Sequence, residues 1–132
     1  MERNDIMARY NVHGGHNRHI PGIISYLDEV TEDRKISKEL QRLLSAEGHN
    51  VHDCTDDSAR TQNGNLSNIV KKCNKNTVDL NMSIHLNGCK KAKKDGKVKG
   101  VEVWVSSMSS KAVPYAKRVC AEMAKLGFTN RG

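Results

Sequence analysis

The chain has 132 residues, 36% of them hydrophobic and 28% charged, which fits one soluble globular domain and excludes a disordered or fibrous chain. A formal net charge of +7 asks for an anionic partner such as nucleic acid or a bacterial cell wall, yet one Trp, three Tyr and one Phe offer few platforms for stacking bases. No apolar run is long enough for a signal-peptide core or a membrane span, so synthesis in the cytoplasm without a signal peptide is expected.

Residues 1–7 read as a leader or disordered start and 8–132 as the folded domain. Ala8 to Val12 is short and β-compatible, and Gly14-Gly15 ends it. Residues 17–25 are loop-like, punctuated by Pro21-Gly22. From about Asp28 to Glu47 the apolar positions Val30, Ile36, Leu40, Leu43 and Leu44 approximate helical spacing, and Gly48 supplies a stop. Asn50 to Cys54 predicts a second strand, 55–64 a polar loop, and Leu66 to Cys73 a short helix. Val78, Leu80, Met82 and Ile84 alternate with polar residues, the pattern of a strand ending at His85.

A lysine-rich loop follows over 87–99, with Lys90, Lys91, Lys93, Lys94, Lys97 and Lys99. Gly100 to Val105 predicts a strand with Val101, Val103 and Val105 on one face. Ser109 or Ser110 could cap a last helix running to about Leu126, before Gly127. The order β-α-β-α-β-β-α predicts an α/β class: a single layered domain with a central, largely parallel sheet flanked by helices. Cys54, Cys73, Cys89 and Cys120 form no Cys-x-x-Cys pair, which argues against a zinc ribbon. Cys73 and Cys120 read as free buried thiols.

In such sheets, sites collect outside the carboxyl ends of the strands. His16, in Gly-Gly-His-Asn, follows the first strand, and His85, in Ser-Ile-His-Leu-Asn, ends the third. Glu29 opens the helix after the first strand and can face the same edge. Two neutral imidazoles and one carboxylate would leave a fourth tetrahedral position of Zn²⁺ open to water, an arrangement for hydrolysis rather than scaffolding. His13 and His19 compete with His16 for that role, and Glu32 competes with Glu29. Asn17 and Asn87 are candidates for orienting ligands or binding substrate, with turn formation as the plainer explanation.

Gly15-His16-Asn17, then Glu29 13 positions after His16, then Ser83-Ile84-His85-Leu86-Asn87 with His85 56 positions further on, resembles the zinc-dependent N-acetylmuramoyl-L-alanine amidases. The likeness is greatest to the catalytic domains of phage and prophage endolysins. Glu47-Gly48-His49-Asn50-Val51, Cys73-Asn74, Gly100-Val101-Glu102-Val103 and Asn130-Arg131-Gly132 support it. The resemblance implies a six-stranded sheet flanked by helices and one Zn²⁺ per chain on His16, Glu29 and His85. It implies hydrolysis of the amide between N-acetylmuramic acid and L-alanine in peptidoglycan, on the bacterial cell wall after release. Neither nucleic acid nor membrane is an implied partner.

The family's catalytic glutamate lies on a strand beyond the motif matched by Asn130-Arg131-Gly132, so no residue of this chain is assigned as catalytic. Glu102 and Glu122 are not in that context. An arginine usual in the family has no counterpart between Asp56 and Asn74. On this reading the domain is C-terminally incomplete, lacking a strand and a closing helix, and its open sheet edge invites self-association. It is then expected to bind zinc but to turn over slowly. Two rivals stand beside this reading: a non-catalytic, zinc-containing wall-binding remnant, and a basic nucleic-acid-binding domain favoured by charge alone.

Overall fold

Successive residues of a strand point to opposite faces, and here two neighbours, Asn11 and Val12, are both fully buried. Their strand must therefore lie mid-sheet with both faces covered. In the computed structural model, which describes residues 6–88 and 99–132, this is β1 (Arg9–Gly14), flanked by β2 (Asn50–Asp53) and β3 (Leu80–Ile84) in the order β2-β1-β3. Both pairings are parallel, with Tyr10 opposite Val51 on one side and Leu80 on the other. The chain divides into two compact units, Met1–Gly88 and Cys89–Gly132, and the sheet belongs to the first.

Two helices complete that unit. α1 (Glu29–Ala46) starts where the Asp28 side chain accepts from Thr31 N, and α2 (Gln62–Cys73) where Thr61 accepts from Gly64 N. These caps satisfy amides that the first turn leaves unpaired. α2 begins four residues before the predicted Leu66, because Thr61 and not the first apolar residue sets its start. α1 lies on the face of Gly14, where an added Cβ would meet Asp33 and Arg34 side chains. The opposite face belongs to α2: Asn11 Nδ2 donates to Cys73 O (3.1 Å) and to Asn81 Oδ1 (2.7 Å).

The buried face of α1 comprises Glu29, Val30, Asp33 and Ser37. Of the apolar positions that suggested this helix, Ile36 and Leu43 are about half exposed. At about 100° per residue they fall to one side of the stripe through residues 29, 33 and 37. Helical period was readable from the apolar residues, whereas the buried face is mostly polar. Its charged groups, Glu29 and Asp33, border the carboxyl edge of the sheet.

The second unit is described from residue 99. It holds α3 (Val113–Lys125), with Pro114 in its first turn. Its N-cap is Ala112, without a side-chain cap; Ser110 Oγ instead accepts from Ala112 N (3.1 Å). The strand predicted over 100–105 is a correction. Val101 makes a single bridge to Asn130, supported by Val101 N to Thr129 O and Arg131 N to Val101 O, both 2.9 Å. Alternating valines supply a pleated face, but a ladder also needs a paired neighbour, and among the described residues these backbone bonds run only between 101–103 and 129–132. The sheet is accordingly three-stranded among the described residues, not six-stranded. The first five residues of the expected leader, Cys89 and the lysines from Lys90 to Lys97 lie outside the described residues. No described helix is long and apolar enough to cross a membrane.

Candidate metal centre

Three features of the chain converge beyond the carboxyl ends of β1 and β3. Gly15 N donates to Ile84 O (2.8 Å), carrying the parallel ladder one step past the strands. The next residues out are His16 and His85. Glu29, the first residue of α1, comes under both because its own N–H donates to Ile23 O (3.0 Å), closing the loop between β1 and the helix.

Glu29 is 2% exposed, and each carboxylate oxygen meets one imidazole and one backbone amide. Oε1 lies 3.0 Å from His85 Nδ1 and accepts from Leu86 N (3.2 Å). Oε2 lies 3.7 Å from His16 Nε2 and accepts from Ile23 N (2.9 Å). One ligand atom from each of the three residues falls within 4.8 Å of the others. Tetrahedral zinc ligands at 2.0–2.2 Å stand roughly 3.3–3.6 Å apart; the separations of 3.0 and 3.7 Å, made to different oxygens of Glu29, lie near that spacing. The two rings meet edge to face with centroids 5.2 Å apart. His16 Nδ1 is buried without a hydrogen-bond partner among the described residues, a costly condition for a polar atom unless something else satisfies it. The residues therefore fit a metal ion by donor chemistry and by their convergence.

Glycines make the room. A Cβ on Gly15 would stand 2.0 Å from His85 Cε1, and one on Gly22 would stand 2.5 Å from Glu29 Oε2 and 2.6 Å from the His16 ring. Gly22 also has φ +66°, a region that side-chain-bearing residues rarely enter. His16 enters that region too, at φ 53°, which costs about 1–3 kcal/mol and clusters at functional sites.

Glu32, the rival to Glu29, points away and pairs with Lys35 (2.7 Å). His19 is exposed. His13 lies near Ser83 Oγ (3.4 Å), and burial pushes its imidazole below the usual range. With His16 and His85 it lines a cavity of about 210 Å³ whose other wall is Leu66, Ile69 and Val70 of α2. A larger, open depression of about 440 Å³ runs along His52, Asp53 and Lys72, and contains none of the three clustered residues.

Asn17 is fully buried. Its Oδ1 accepts from His19 N (2.9 Å) and Ile20 N (3.1 Å), and its Nδ2 donates to Ala59 O (2.9 Å), so its amide is engaged within the protein. The side chain thereby shapes the loop bearing His16. Asn87 is exposed just beyond His85 and accepts from Gly88 N (3.0 Å).

Sequence reasoning missed Arg34 and Asp33. Arg34 Nη1 donates to Gly15 O (2.9 Å) and Nη2 to His16 O (2.7 Å), while Asp33 and Asp57 grip the same guanidinium. Burial works against its charge, but Asp57 and Asp33 outweigh that and hold the guanidinium more firmly protonated than usual. Burial raises Asp33 to about 6. Neither had a motif to mark it; an arginine in mid-helix ordinarily faces solvent. Cys54 and Cys120 are buried free thiols, and Cys73 is a half-buried one. Burial, with Cys73 alongside, pushes the Cys54 thiol up to about 12, which leaves it inert as a nucleophile at neutral pH.

Residues 12–132 match the N-acetylmuramoyl-L-alanine amidase family. Two Clostridium perfringens proteins are similar over 92% of this chain: an uncharacterized protein of strain 13, 35% identical, and an uncharacterized 38.4 kDa protein, 33% identical. The chain spans about a third (35%) of the length of each. The catalytic domain of an endolysin targeting Clostridia Difficile shares the fold, with a TM-score of 0.81 and 24% identity over 95% of this chain and 68% of that one.

Proposed function

This chain belongs to the N-acetylmuramoyl-L-alanine amidase family, and on that premise we propose that it hydrolyses the amide bond between N-acetylmuramic acid and L-alanine in peptidoglycan, using one zinc ion held by His16, Glu29 and His85. The observation that carries this reading is the convergence of two imidazoles on one buried carboxylate. A zinc ion at that position supplies a polarised amide carbonyl and a water molecule of lowered pKa.

The chain's own residues do the rest. Glu29, fastened by the amides of Ile23 and Leu86, presents its carboxylate between the rings with little freedom to rotate. The His85 side chain is 50% exposed, which leaves the centre open on one side to a polymeric substrate. The apolar wall of Leu66, Ile69 and Val70 excludes water from the other flank of the histidines. Asn17 fixes the loop that carries His16, and Asn87 stands where an arriving substrate meets the strand end. Protonation of the departing nitrogen calls for a positioned acid; that role is assigned to none of the described carboxylates. The cell wall, reached after release, is the site of action.

Purified cell walls test the reading through two measurements, zinc content of the protein and newly exposed L-alanine amino termini. One zinc per chain and new alanine termini are expected, both lost on chelation and restored by zinc. Release of reducing sugar without alanine termini would replace the amidase reading with a glycosidase. Hydrolysis that persists after complete chelation would remove zinc from it.

A further inference from the structure

We propose that Arg34 is the positioning residue of the metal centre, holding the His16 backbone in the left-handed conformation that aims its imidazole at Glu29. The inference rests on the zinc reading for its ligand but is argued from the backbone. His16 is the one described non-glycine residue with positive φ. The carbonyls of Gly15 and His16, which bracket that residue's dihedrals, both accept from the Arg34 guanidinium, at 2.9 and 2.7 Å.

The two carbonyls accept from separate nitrogens, Nη1 and Nη2, of one planar fork. Guanidinium has that fork, and the compact ammonium of lysine does not. The fork itself is not free to follow the loop. Asp33 holds Nη1 (2.8 Å) from the same helix, and Asp57 holds Nη2 (2.7 Å) and Nε (3.3 Å) from the segment before α2. Arg34 is five residues after Glu29 on α1, so one rigid helix sets the carboxylate ligand and the backbone of the histidine ligand together. Without the fork, the loop can relax to negative φ, which swings the His16 Cβ and ring away from Glu29.

The experiment compares wild type with Arg34→Gln and Arg34→Lys. Zinc affinity is read by competition with a chromophoric chelator, and ligand geometry by the visible spectrum of the cobalt-loaded protein. Both variants should bind zinc about 10–100-fold more weakly, the usual effect of removing an outer-shell partner, with an altered cobalt spectrum. Lysine should not rescue. Side-chain NMR of His16 in the metal-free protein gives a reading that needs no metal, and its ring signals should shift or broaden in both variants.

Should Arg34→Gln fail to fold, Asp57→Asn loosens the same fork from an exposed carboxylate and should weaken zinc in the same direction by less. Wild-type affinity, spectrum and His16 signals in the folded Arg34 variants would overturn the proposal. A wild type that takes up no zinc, but whose His16 signals still move on Arg34→Gln, would instead overturn the metal reading and leave the positioning role standing.

Discussion

In the unit up to Gly88 the deepest side chains are largely polar: Asn11, Asn17, Asp33, Asp56 and Asn65 are all at most 2% exposed. In the unit from Cys89 onward, Cys120 is the one buried residue among those described. The first interior is a hydrogen-bonded lattice. Asp56 alone accepts from Ser58, Ala59, Asn65 and Asn68, and Asn11 links β3 to both Cys73 and Asn76. Such networks fix geometry when every member is satisfied and are costly when one is removed. The second unit rests on α3 and a few backbone bonds between 101–103 and 129–132. The cluster of His16, Glu29 and His85 lies in the unit with the polar interior.

The largest effect that tests this contrast is on metal. His85→Ala and Glu29→Ala should take zinc from one per chain to none, whereas Glu102→Ala and Glu122→Ala in the second unit should leave it bound. Metal analysis of the purified variants decides, and zinc lost on Glu102→Ala would break the division.

Next comes stability. Asp56→Ala strands the buried Asn65 amide and three half-buried or exposed donors and should cost about 2–4 kcal/mol, while Cys120→Ala, which removes one sulfur from a shallow core, should cost about 1 kcal/mol. Urea unfolding of both variants measures the difference, and equal losses would mean that the two interiors are alike.

Titration of the metal-free protein sharpens the same point. Asp33 is raised to about 6 by burial, so its folded form binds the proton more tightly than the unfolded chain. Stability from this group is therefore full below about pH 4 and falls as pH rises toward 6, by about 1–2 kcal/mol once screening is allowed for. Asp56 runs the other way. Burial opposes its charge, but the bonds from Ser58, Asn65, Ala59 and Asn68 hold it well below the usual carboxylate range. Its contribution is present above about pH 4 and lost as acid is added. Urea midpoints across this range should show both limbs, and Asp33→Asn should flatten only the decline from about pH 4 to 6. A decline unchanged in that variant would assign it to another group.

The smallest effect is expected where the two units are built alike. Glu39 pairs with Arg42 on α1 and Glu122 with Lys125 on α3, both at 2.7 Å and both exposed. Glu39→Ala and Glu122→Ala should leave the urea midpoint within measurement scatter, as exposed pairs usually do. A clear shift for one alone would show that its helix surface is coupled to something the pair does not reveal.

The sequence by itself determined the parallel class and the element order apart from the strand at 100–105. Those follow from local rules: alternation marks β3, Gly14-Gly15 and Gly48 mark ends, and a parallel sheet delivers His16, Glu29 and His85 to one edge whatever the details of packing. Tertiary structure decided what depends on neighbours. Val101, Val103 and Val105 alternate as well as any strand, yet among the described residues they make one bridge, because a ladder depends on a neighbour and not on alternation. The inward face of α1 was set by Glu29, Asp33 and Ser37 rather than by Ile36 and Leu43, because the Ile23 and Leu86 amides and the histidines meet Glu29, and Arg34 donates to Asp33. Arg34 looked like a solvent-facing helix residue and became the clamp on Gly15 and His16. A pattern within the chain records the conformation each segment prefers; which polar group is satisfied, and by what, is fixed only when distant segments meet.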